Sequence, residues 1–341
     1  MPQVRLGIVG LGYWAKNYIR ILSEKNDAVI AAICDCDPAK LRAWSDRLPY
    51  AQAYSVPQEL FCSNLDGVII TTPASTHYSL VLQALRNRLP ILVEKPLTLG
   101  SREADIICNV AREYNVPLLV GHTYLFAEPI RKLREMLEQQ VIGKVKYIFS
   151  LRANLGIIRQ DCNVIWDLAP HDIAILLYLL KTHPLRLRTV TGCRKTPDKD
   201  HAVLGLEFPG DVIACVSVSW LWPEKIRKLT VVGTKGAICY EDKGFDSPLY
   251  LYHWPEEVVE NLPIYNVPFE KLNPTIIPMP QREPLSQLLD HFLRCIAKKE
   301  QPLSNARFGA EVVRILEKIC GNESEKHLVK EFVRGYHNGS A

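Results

Sequence analysis

The sequence predicts an α/β amino-terminal domain with a doubly wound parallel sheet, followed by an α+β domain with a largely antiparallel, open-faced sheet. A chain of 341 residues exceeds one ordinary core, since a domain takes about 100 to 200 residues. From Val4 to Val120, short apolar runs alternate with amphipathic helical stretches, as in βαβ units. Beyond Leu180, strand-like runs follow one another without helices between them. We therefore predict domains at residues 1–122 and 123–341.

The strands of the first domain are predicted from nearly continuous apolar runs, which are typical of strands covered on both faces. They are Arg5–Val9, Ala28–Cys34, Gly67–Thr71, Ile91–Glu94 and Leu118–Val120. The change of rhythm after Gly121 marks the start of the second domain.

In the second domain, we predict a helix from about Pro129 to Glu138, a strand at Lys144–Leu155 and an apolar helix at Ile173–Leu180. Further strands are expected at Thr189–Arg194, Val203–Phe208, Val212–Trp220 and Leu229–Val232, and helices at Leu285–Ala297 and Ala306–Cys320. Seven prolines between Pro255 and Pro284 predict an extended arm, which could be a lid, an oligomer arm or a surface connection.

The composition of the chain argues against several kinds of partner and site. The net charge of +4, with acids and bases interspersed, argues against a nucleic-acid partner. Ten cysteines, mostly in apolar runs and without a C-x-x-C spacing, are expected to be free thiols and to form no metal site. With no export signal at the start and no apolar stretch long enough for a bilayer, we predict a cytoplasmic protein that does not bind membranes.

The first predicted strand ends in a glycine turn, G-x-G-x-x-A, formed by Gly10, Gly12 and Ala15. Gly10 permits a tight turn, Gly12 lets the backbone approach a pyrophosphate, and Ala15 allows close packing of helix on strand. The helix that follows presents its unpaired N–H groups to the phosphates. Because strand, turn and helix occur in this order, the first domain is predicted to be a dinucleotide-binding Rossmann domain.

Asp35 ends the second strand, where a carboxylate would bind the ribose hydroxyls. Its charge favours NAD over NADP, because a 2′-phosphate would be repelled. The competing interpretation is a turn or cap residue before Pro38. The third strand ends in Thr72-Pro73, at the same ligand edge of the sheet, and His77 alone would be a helix-start or packing residue.

Glu94-Lys95-Pro96 follows the fourth strand, again at a carboxyl end. We expect Lys95 to project towards the ligand and Glu94 to contact the nicotinamide side. A second cluster, residues 166–172, precedes the apolar helix. Asp167 and His171 are four residues apart, so they share one face if this first turn is helical, although Asp167 could instead cap the helix.

This combination resembles the family of glucose-fructose oxidoreductase, inositol dehydrogenase and the rhizopine catabolism protein over essentially the whole chain. The motifs that carry it are the glycine turn, Thr72-Pro73 with His77, Glu94-Lys95-Pro96, and Asp167 with His171. Tyr13-Trp14, Gly121-His122-Thr123, Asn154-Leu155-Gly156 and residues 166–172 are similar to the branch that acts on nucleotide-linked sugars, often at C3. The resemblance implies a homodimer or homotetramer formed through the open sheet.

The resemblance also implies roles for individual residues. Cofactor contacts are expected from Gly10, Gly12, Tyr13, Trp14, Asp35, Thr72, Pro73, His77, Glu94, Lys95 and His122. His171 would accept the hydroxyl proton, Asp167 would orient it, and Lys95 would stabilise the alkoxide or act as the base instead. Substrate contacts are expected from Arg152, Asn154, Arg159, Trp166 and Asp172.

The sequence therefore predicts an NAD-dependent oxidoreductase that oxidises a secondary hydroxyl of a sugar. Three alternatives remain at this point: a glycosidase that oxidises its sugar only transiently, a dehydrogenase of free polyols or inositols, and a dinucleotide sensor without enzymatic activity.

Overall fold

The computed structural model describes residues 3–156, 158, 162–193, 199–254 and 273–321. The chain forms two compact units, Met1–Arg131 with Pro280–Arg314, and Lys132–Met279 with Ile315–Ala341. The first unit thus takes in residues 123–131 and 280–314, which the sequence analysis grouped with the second domain.

The first unit contains a parallel six-stranded sheet in the order β3-β2-β1-β4-β5-β6. Its strands are β1 (Val4–Val9), β2 (Ala28–Cys34), β3 (Gln52–Tyr54), β4 (Gly67–Ile70), β5 (Ile91–Val93) and β6 (Leu118–Val120). The helices between them are α1 (Ala15–Ser23), α2 (Pro38–Ser45), α3 (Pro57–Phe61), α4 (Ala74–Arg86) and α5 (Ser101–Tyr114). After β6 come a short 3₁₀ helix (Thr123–Phe126) and α6 (Glu128–Glu138). This architecture confirms the predicted doubly wound fold.

The strand order reverses between β1 and β4, which both pair with their neighbours in parallel. Ligands of open α/β sheets bind outside the carboxyl ends of the strands at such a switch point. Residue 10 follows β1 and residue 71 follows β4, so the glycine turn and Thr72-Pro73 lie at this point.

The second unit contains an eight-stranded sheet in the order β14-β13-β12-β11-β7-β10-β9-β8. Its elements are β7 (Val145–Ala153), α7 (Val164–Leu180), β8 (Arg186–Gly192), β9 (His201–Phe208), β10 (Val212–Ser219), β11 (Ile226–Gly233), β12 (Gly236–Glu241), β13 (Leu249–His253) and β14 (Thr275–Ile277). The central strands β7 and β10 pair in parallel, and the other pairs are antiparallel. The predicted largely antiparallel sheet is confirmed. Residues 255–272 of the proline-rich arm lie outside the described residues.

Helix α7 packs on one face of this sheet, where Ile148, Ser150 and Arg152 of β7 are buried. The alternate residues point to the opposite face, where Tyr147, Val190, Val203 and Ile213 are exposed. Val190 is paired with Val203, and Ile213 with Tyr147, so these apolar side chains are neighbours across strands.

After the second unit's sheet, the chain forms α8 (Pro284–Ile296) and α9 (Ala306–Gly321). Between them, Ser304 binds the edge strand β6 twice: its carbonyl accepts from Val120 N at 2.7 Å, and its hydroxyl donates to Val120 O at 2.6 Å. Leu119 also forms a bridge with Asn305. This late segment therefore completes the edge of the first sheet. None of the helices in the described part of the chain could cross a membrane.

Candidate active site

The glycine turn, residues 10–15, requires its two glycines for different reasons. Gly10 has φ +91°, and a Cβ there would lie 2.6 Å from Thr72 Cγ2 and 2.9 Å from Thr72 N. The fold itself thus demands glycine at position 10. A Cβ on Gly12 would meet no atom of the described residues within 4 Å, apart from its two chain neighbours. Space is left beside Gly12 for a ligand that comes close to the backbone, which fits the pyrophosphate of a dinucleotide.

The N-terminus of α1 adjoins this space. Among the described residues, no side chain caps the helix at Trp14. Its first N–H groups and the positive end of its dipole can therefore serve an anion. Tyr13 and Trp14 are exposed by 73% and 38%, and their rings meet edge to face with centroids 6.1 Å apart.

Asp35 braces the glycine turn. Its Oδ2 accepts from Leu11 N at 2.7 Å, and its Oδ1 accepts from Asp37 N at 2.8 Å. Thr71 adds a third link, since its hydroxyl donates to Gly10 O at 2.6 Å. Asp37, and not Asp35, caps α2 by accepting from Ala39 N. Asp35 thus carries a negative charge at the end of β2 while it also holds a turn.

His77 links the Thr72-Pro73 turn to the lysine turn, residues 94–96. Its Nδ1 lies 2.8 Å from Pro96 O, and its Nε2 lies 3.0 Å from Thr72 O. The ring is buried. Thr72 is held in addition by Thr76, whose hydroxyl donates to Thr72 Oγ1 at 2.7 Å. His77 therefore fixes two loops at the carboxyl ends of β4 and β5.

Glu94 is buried at the end of β5 and is held by Tyr18 of α1. The Tyr18 hydroxyl donates to Glu94 Oε1 at 2.7 Å, and Lys95 N donates to Glu94 Oε2 at 3.2 Å. Burial, then the charge of Glu94, raises the pKa of Tyr18 well above 10, so the hydroxyl keeps its proton. The carboxylate next to Lys95 is thereby fixed to the helix that begins at the glycine turn.

His122 follows β6 and is 1% exposed. Its ring meets Phe308 of α9 edge to face, with centroids 5.7 Å apart. Burial, and then the charge of Lys95, lowers the pKa of His122 to about 3. The imidazole is therefore neutral.

In the second unit, Asp167 and His171 both lie inside α7 and share one of its faces. The cap of α7 is Asn163, whose side chain accepts from Ile165 N and Trp166 N. The alternative that Asp167 caps the helix is therefore wrong. The helix begins earlier than predicted, so Pro170 lies beyond its first turn and removes the N–H that would otherwise donate to Trp166 O.

Asp167 is held by a buried tryptophan. Trp220 is 1% exposed, and its Nε1 donates to Asp167 Oδ2 at 3.0 Å. The backbone N–H of Trp220 in turn donates to Asp200 O at 3.0 Å. The carboxylate beside His171 is thus fixed from the end of β10.

Arg152 and Asp172 form a buried ion pair between β7 and α7. Arg152 Nε lies 2.7 Å from Asp172 Oδ2, and the two side chains are 6% and 3% exposed. Ser150 donates to Asp172 Oδ1 at 2.7 Å. Asp172 therefore anchors the turn of α7 that carries His171.

Two family models match the chain. The model described as an oxidoreductase family with an NAD-binding Rossmann fold matches residues 4–122, and that of the GFO/IDH/MocA C-terminal domain matches residues 130–239. The chain belongs to the Gfo/Idh/MocA family of oxidoreductases. The family predicted from the sequence motifs is thus confirmed.

Relatives of this Gfo/Idh/MocA protein include named dehydrogenases. It is 25% identical to UDP-N-acetylglucosamine 3-dehydrogenase of Acidithiobacillus ferrooxidans over 87% of this chain and 90% of that one. It is 26% identical to D-apiose dehydrogenase of Rhizobium rhizogenes over 70% and 73% of the two chains. A solved structure of the A. ferrooxidans enzyme superposes with TM-score 0.80 at 22% identity, covering 94% of this chain and 97% of that one. This likeness confirms the fold.

Sequence reasoning found the motif residues of this family member but missed those that hold them. Tyr18, Thr71, Ser150 and Trp220 each bind or brace a predicted residue. None had a local signal, because each partner lies 22 or more residues away along the chain. Among the predicted substrate residues, Asn154 and Trp166 are half-buried, and Arg159 lies outside the described residues.

Proposed function

We propose that this protein is an NAD-dependent dehydrogenase that oxidises a secondary hydroxyl of a sugar. One observation carries the proposal: in a member of an NAD-binding oxidoreductase family, Asp167 and His171 share a helix face, and Trp220 fixes the Asp167 carboxylate. An imidazole with an oriented carboxylate is suited to accept the proton of an alcohol.

The proposed division of labour follows from the chemistry of the side chains. His171 takes the hydroxyl proton, while Asp167 sets its tautomer and stabilises the imidazolium. Lys95 donates a hydrogen bond to the developing alkoxide. When bound, the nicotinamide supplies the hydride acceptor. Lys95 as the base is the competing assignment.

For the cofactor, we propose NAD rather than NADP. The Asp35 carboxylate lies at the end of β2, where it would repel a 2′-phosphate. Gly10, Gly12, Tyr13, Trp14, Thr72, Pro73, His77, Glu94 and His122 complete the proposed cofactor set. In this set, the backbone at Gly12 would hold the pyrophosphate, and the buried His77 would hold the loops that approach the nicotinamide.

For the substrate, we propose a nucleotide-linked sugar oxidised at C3. This finer assignment is supported by the 25% identity to the UDP-N-acetylglucosamine 3-dehydrogenase over most of both chains. Asn154, Arg159 and Trp166 are the proposed substrate contacts. Arg152 and Asp172 bind each other in a buried pair, and we propose that they position α7 instead of touching the sugar.

For assembly, we propose that two copies associate through the exposed sheet face that carries Tyr147, Val190, Val203 and Ile213. Burying such a patch against its own copy would remove apolar surface from water. Light scattering should give at least a dimer, and Ile213→Lys should shift the protein towards monomer. An unchanged mass for the variant would contradict this face. The predicted cytoplasmic location stays a prediction.

The activity is tested with purified protein and NAD, by following absorbance of reduced nicotinamide with a panel of sugar nucleotides and free polyols. We expect turnover with sugar nucleotides and its loss in Lys95→Met and His171→Asn, both of which should still bind NAD. Lys146→Met, at an exposed lysine, is the matched control and should stay active. Turnover that survives in both variants would contradict the mechanism, and turnover confined to free polyols would contradict the substrate.

A further inference from the structure

Glu94 brings a carboxyl group into the interior of the first unit, at the end of β5. Glu94 and Tyr18, which binds it, are both buried. Gly121 also packs against the carboxyl group, since a Cβ at position 121 would lie 3.4 Å from both Cδ and Oε1 of Glu94. A buried carboxylate loses its hydration, which destabilises the fold. Its place here therefore calls for a reason other than stability.

The hydrogen bonds of Glu94 favour its ionised form. Oε1 accepts from the Tyr18 hydroxyl at 2.7 Å, and Oε2 accepts from Lys95 N at 3.2 Å. A protonated carboxyl group would have to use one of its oxygens as a donor, so two accepted bonds select the carboxylate. The tyrosine hydroxyl and the backbone amide are uncharged donors, which orient the carboxylate without themselves neutralising it.

The order of the strands places this charge on one side of the dinucleotide site. The strands lie in the order β2-β1-β4-β5, with Asp35 at the end of β2, the glycine turn after β1 and Glu94 after β5. A dinucleotide whose pyrophosphate lies at the switch point extends along this edge in both directions. With its adenosine ribose at Asp35, as proposed above, its nicotinamide half extends towards β4 and β5. Two strand spacings, about 10 Å, separate β5 from β1.

We propose that the Glu94 carboxylate makes this site select the oxidised form of the cofactor over the reduced form. Gain of a hydride converts the nicotinamide ring from a cation to a neutral group, so a fixed negative charge attracts only the oxidised ring. Lys95 carries the opposite charge, but it is half-buried and is therefore screened by water more than Glu94 is. This inference rests on the proposed function and deepens it.

Such selection determines what happens to the cofactor after the reaction. Once the ring is neutral, Glu94 no longer attracts it, so NADH should leave and a new molecule of NAD should bind. A glycosidase that oxidises its sugar only transiently must instead retain NADH until the hydride has been returned. The Glu94 charge therefore favours net oxidation of the sugar, with release of NADH in each turnover.

The test measures the binding of NAD and of NADH separately, without substrate, by calorimetric titration. Glu94→Gln removes the charge but keeps the size of the side chain. It should raise the Kd for NAD about tenfold and change that for NADH less than about twofold, because unit charges even about 10 Å apart interact this strongly at an effective dielectric constant of about 20. An unchanged ratio of the two Kd values in folded Glu94→Gln overturns the proposal.

Two variants serve as controls for this ratio. Asp35→Asn removes the same charge at the adenosine end of the site, where both forms of the cofactor are identical. It should therefore change both Kd values by the same factor. Glu94→Asp keeps the charge and should keep the preference of the parent for NAD. Loss of that preference in Glu94→Asp would show that the shape of the side chain decides, which also overturns the proposal.

A second measurement uses the parent protein alone and decides the matter if Glu94→Gln does not fold. The parent should bind NAD about tenfold more tightly than an analogue in which an uncharged benzamide ring replaces the nicotinamide. The two rings are flat and have the same shape, so the comparison isolates the charge. Equal affinities for the two ligands overturn the proposal.

The failure of the proposed function gives a different result. A parent protein that prefers NAD through Glu94 but oxidises no sugar contradicts the proposed dehydrogenase and leaves the selection by Glu94 in place. A parent that oxidises sugars, but whose Kd ratio is the same in Glu94→Gln, overturns only the selection. A parent that binds neither form of the cofactor contradicts both.

Discussion

The indole N–H of Trp220 donates to the carboxylate of Asp167, with 3.0 Å between Nε1 and Oδ2. Trp220 follows β10, whereas Asp167 lies in α7, so the bond fixes a helix side chain from the adjoining sheet. A carboxylate that orients an imidazole must itself be held, because a mobile one would not select a tautomer.

Removing the Trp220 N–H that donates to Asp167 should lower kcat more than it changes substrate binding. We expect Trp220→Phe to stay folded and to lose about tenfold in kcat, since one hydrogen bond to a charged group contributes about 1.5–3 kcal/mol. KM should change little. Steady-state kinetics check this, with Trp222→Phe as the control at an exposed tryptophan. Equal kcat values for the two variants would show that the Trp220 indole has no bearing on the reaction.

The two glycines of the glycine turn should respond differently to alanine. Gly10→Ala places a Cβ 2.6 Å from Thr72 Cγ2 at a positive φ, so it should destabilise the fold by more than 1 kcal/mol, as about 1–3 is usual for such strain. Gly12→Ala should leave the midpoint of urea unfolding unchanged but weaken the affinity for NAD at least tenfold. Denaturation curves and calorimetric titration separate these effects. NAD affinity that is intact in Gly12→Ala would contradict the pyrophosphate site.

His122 makes stability depend on pH in a defined direction. Its pKa is about 3 in the folded chain, below its ordinary 6.5, so between these values the unfolded chain binds a proton that the folded chain does not. Stability should therefore fall as pH drops below 6.5, by about 1.4 kcal/mol per unit. The stability gain of His122→Phe over the parent should grow by about 2 kcal/mol between pH 8 and pH 5. Urea unfolding at both pH values measures it, and a constant difference would contradict the burial of a neutral ring.

The Arg152–Asp172 pair should matter most when only one partner is removed. Arg152→Met leaves Asp172 charged and buried, which should cost about 3–5 kcal/mol of unfolding free energy. The double variant Arg152→Met with Asp172→Leu should recover most of this. The exposed pair Lys132–Glu135 is the control, and its loss should cost less than about 1 kcal/mol. A double variant as unstable as the single one would show that the charges themselves stabilise the unit.

The sequence predicted the parallel sheet well because its strands are apolar on both faces. All five predicted strands match the structure within one residue at each end; the fourth, for example, ends one residue earlier, at Val93. β3 was missed because it has three residues at an edge of the sheet and no apolar pattern. β12, β13 and β14 were also not predicted; β12 begins with a glycine, and β14 lies within the proline-rich arm.

The candidate site was predictable only as far as its motifs are local. Glycine turns and carboxyl-end residues such as Lys95 follow from strand position, whereas the partners that hold them are brought near by topology. Arg152 illustrates the limit: its type and place suggested a sugar contact, but its guanidinium is committed to Asp172. The Arg152–Asp172 pair is buried because α7 packs on the sheet, and the periodicity of the sequence does not predict that packing.

The link between Val120 and Ser304 bears on how the protein is made. A ribosome completes β6 long before it reaches Ser304, so the edge of the first sheet stays uncovered while residues 132–279 of the second unit are synthesised. A gene fragment that stops at residue 131 reproduces this unfinished intermediate, and a self-standing version would need residues 280–314 spliced onto it.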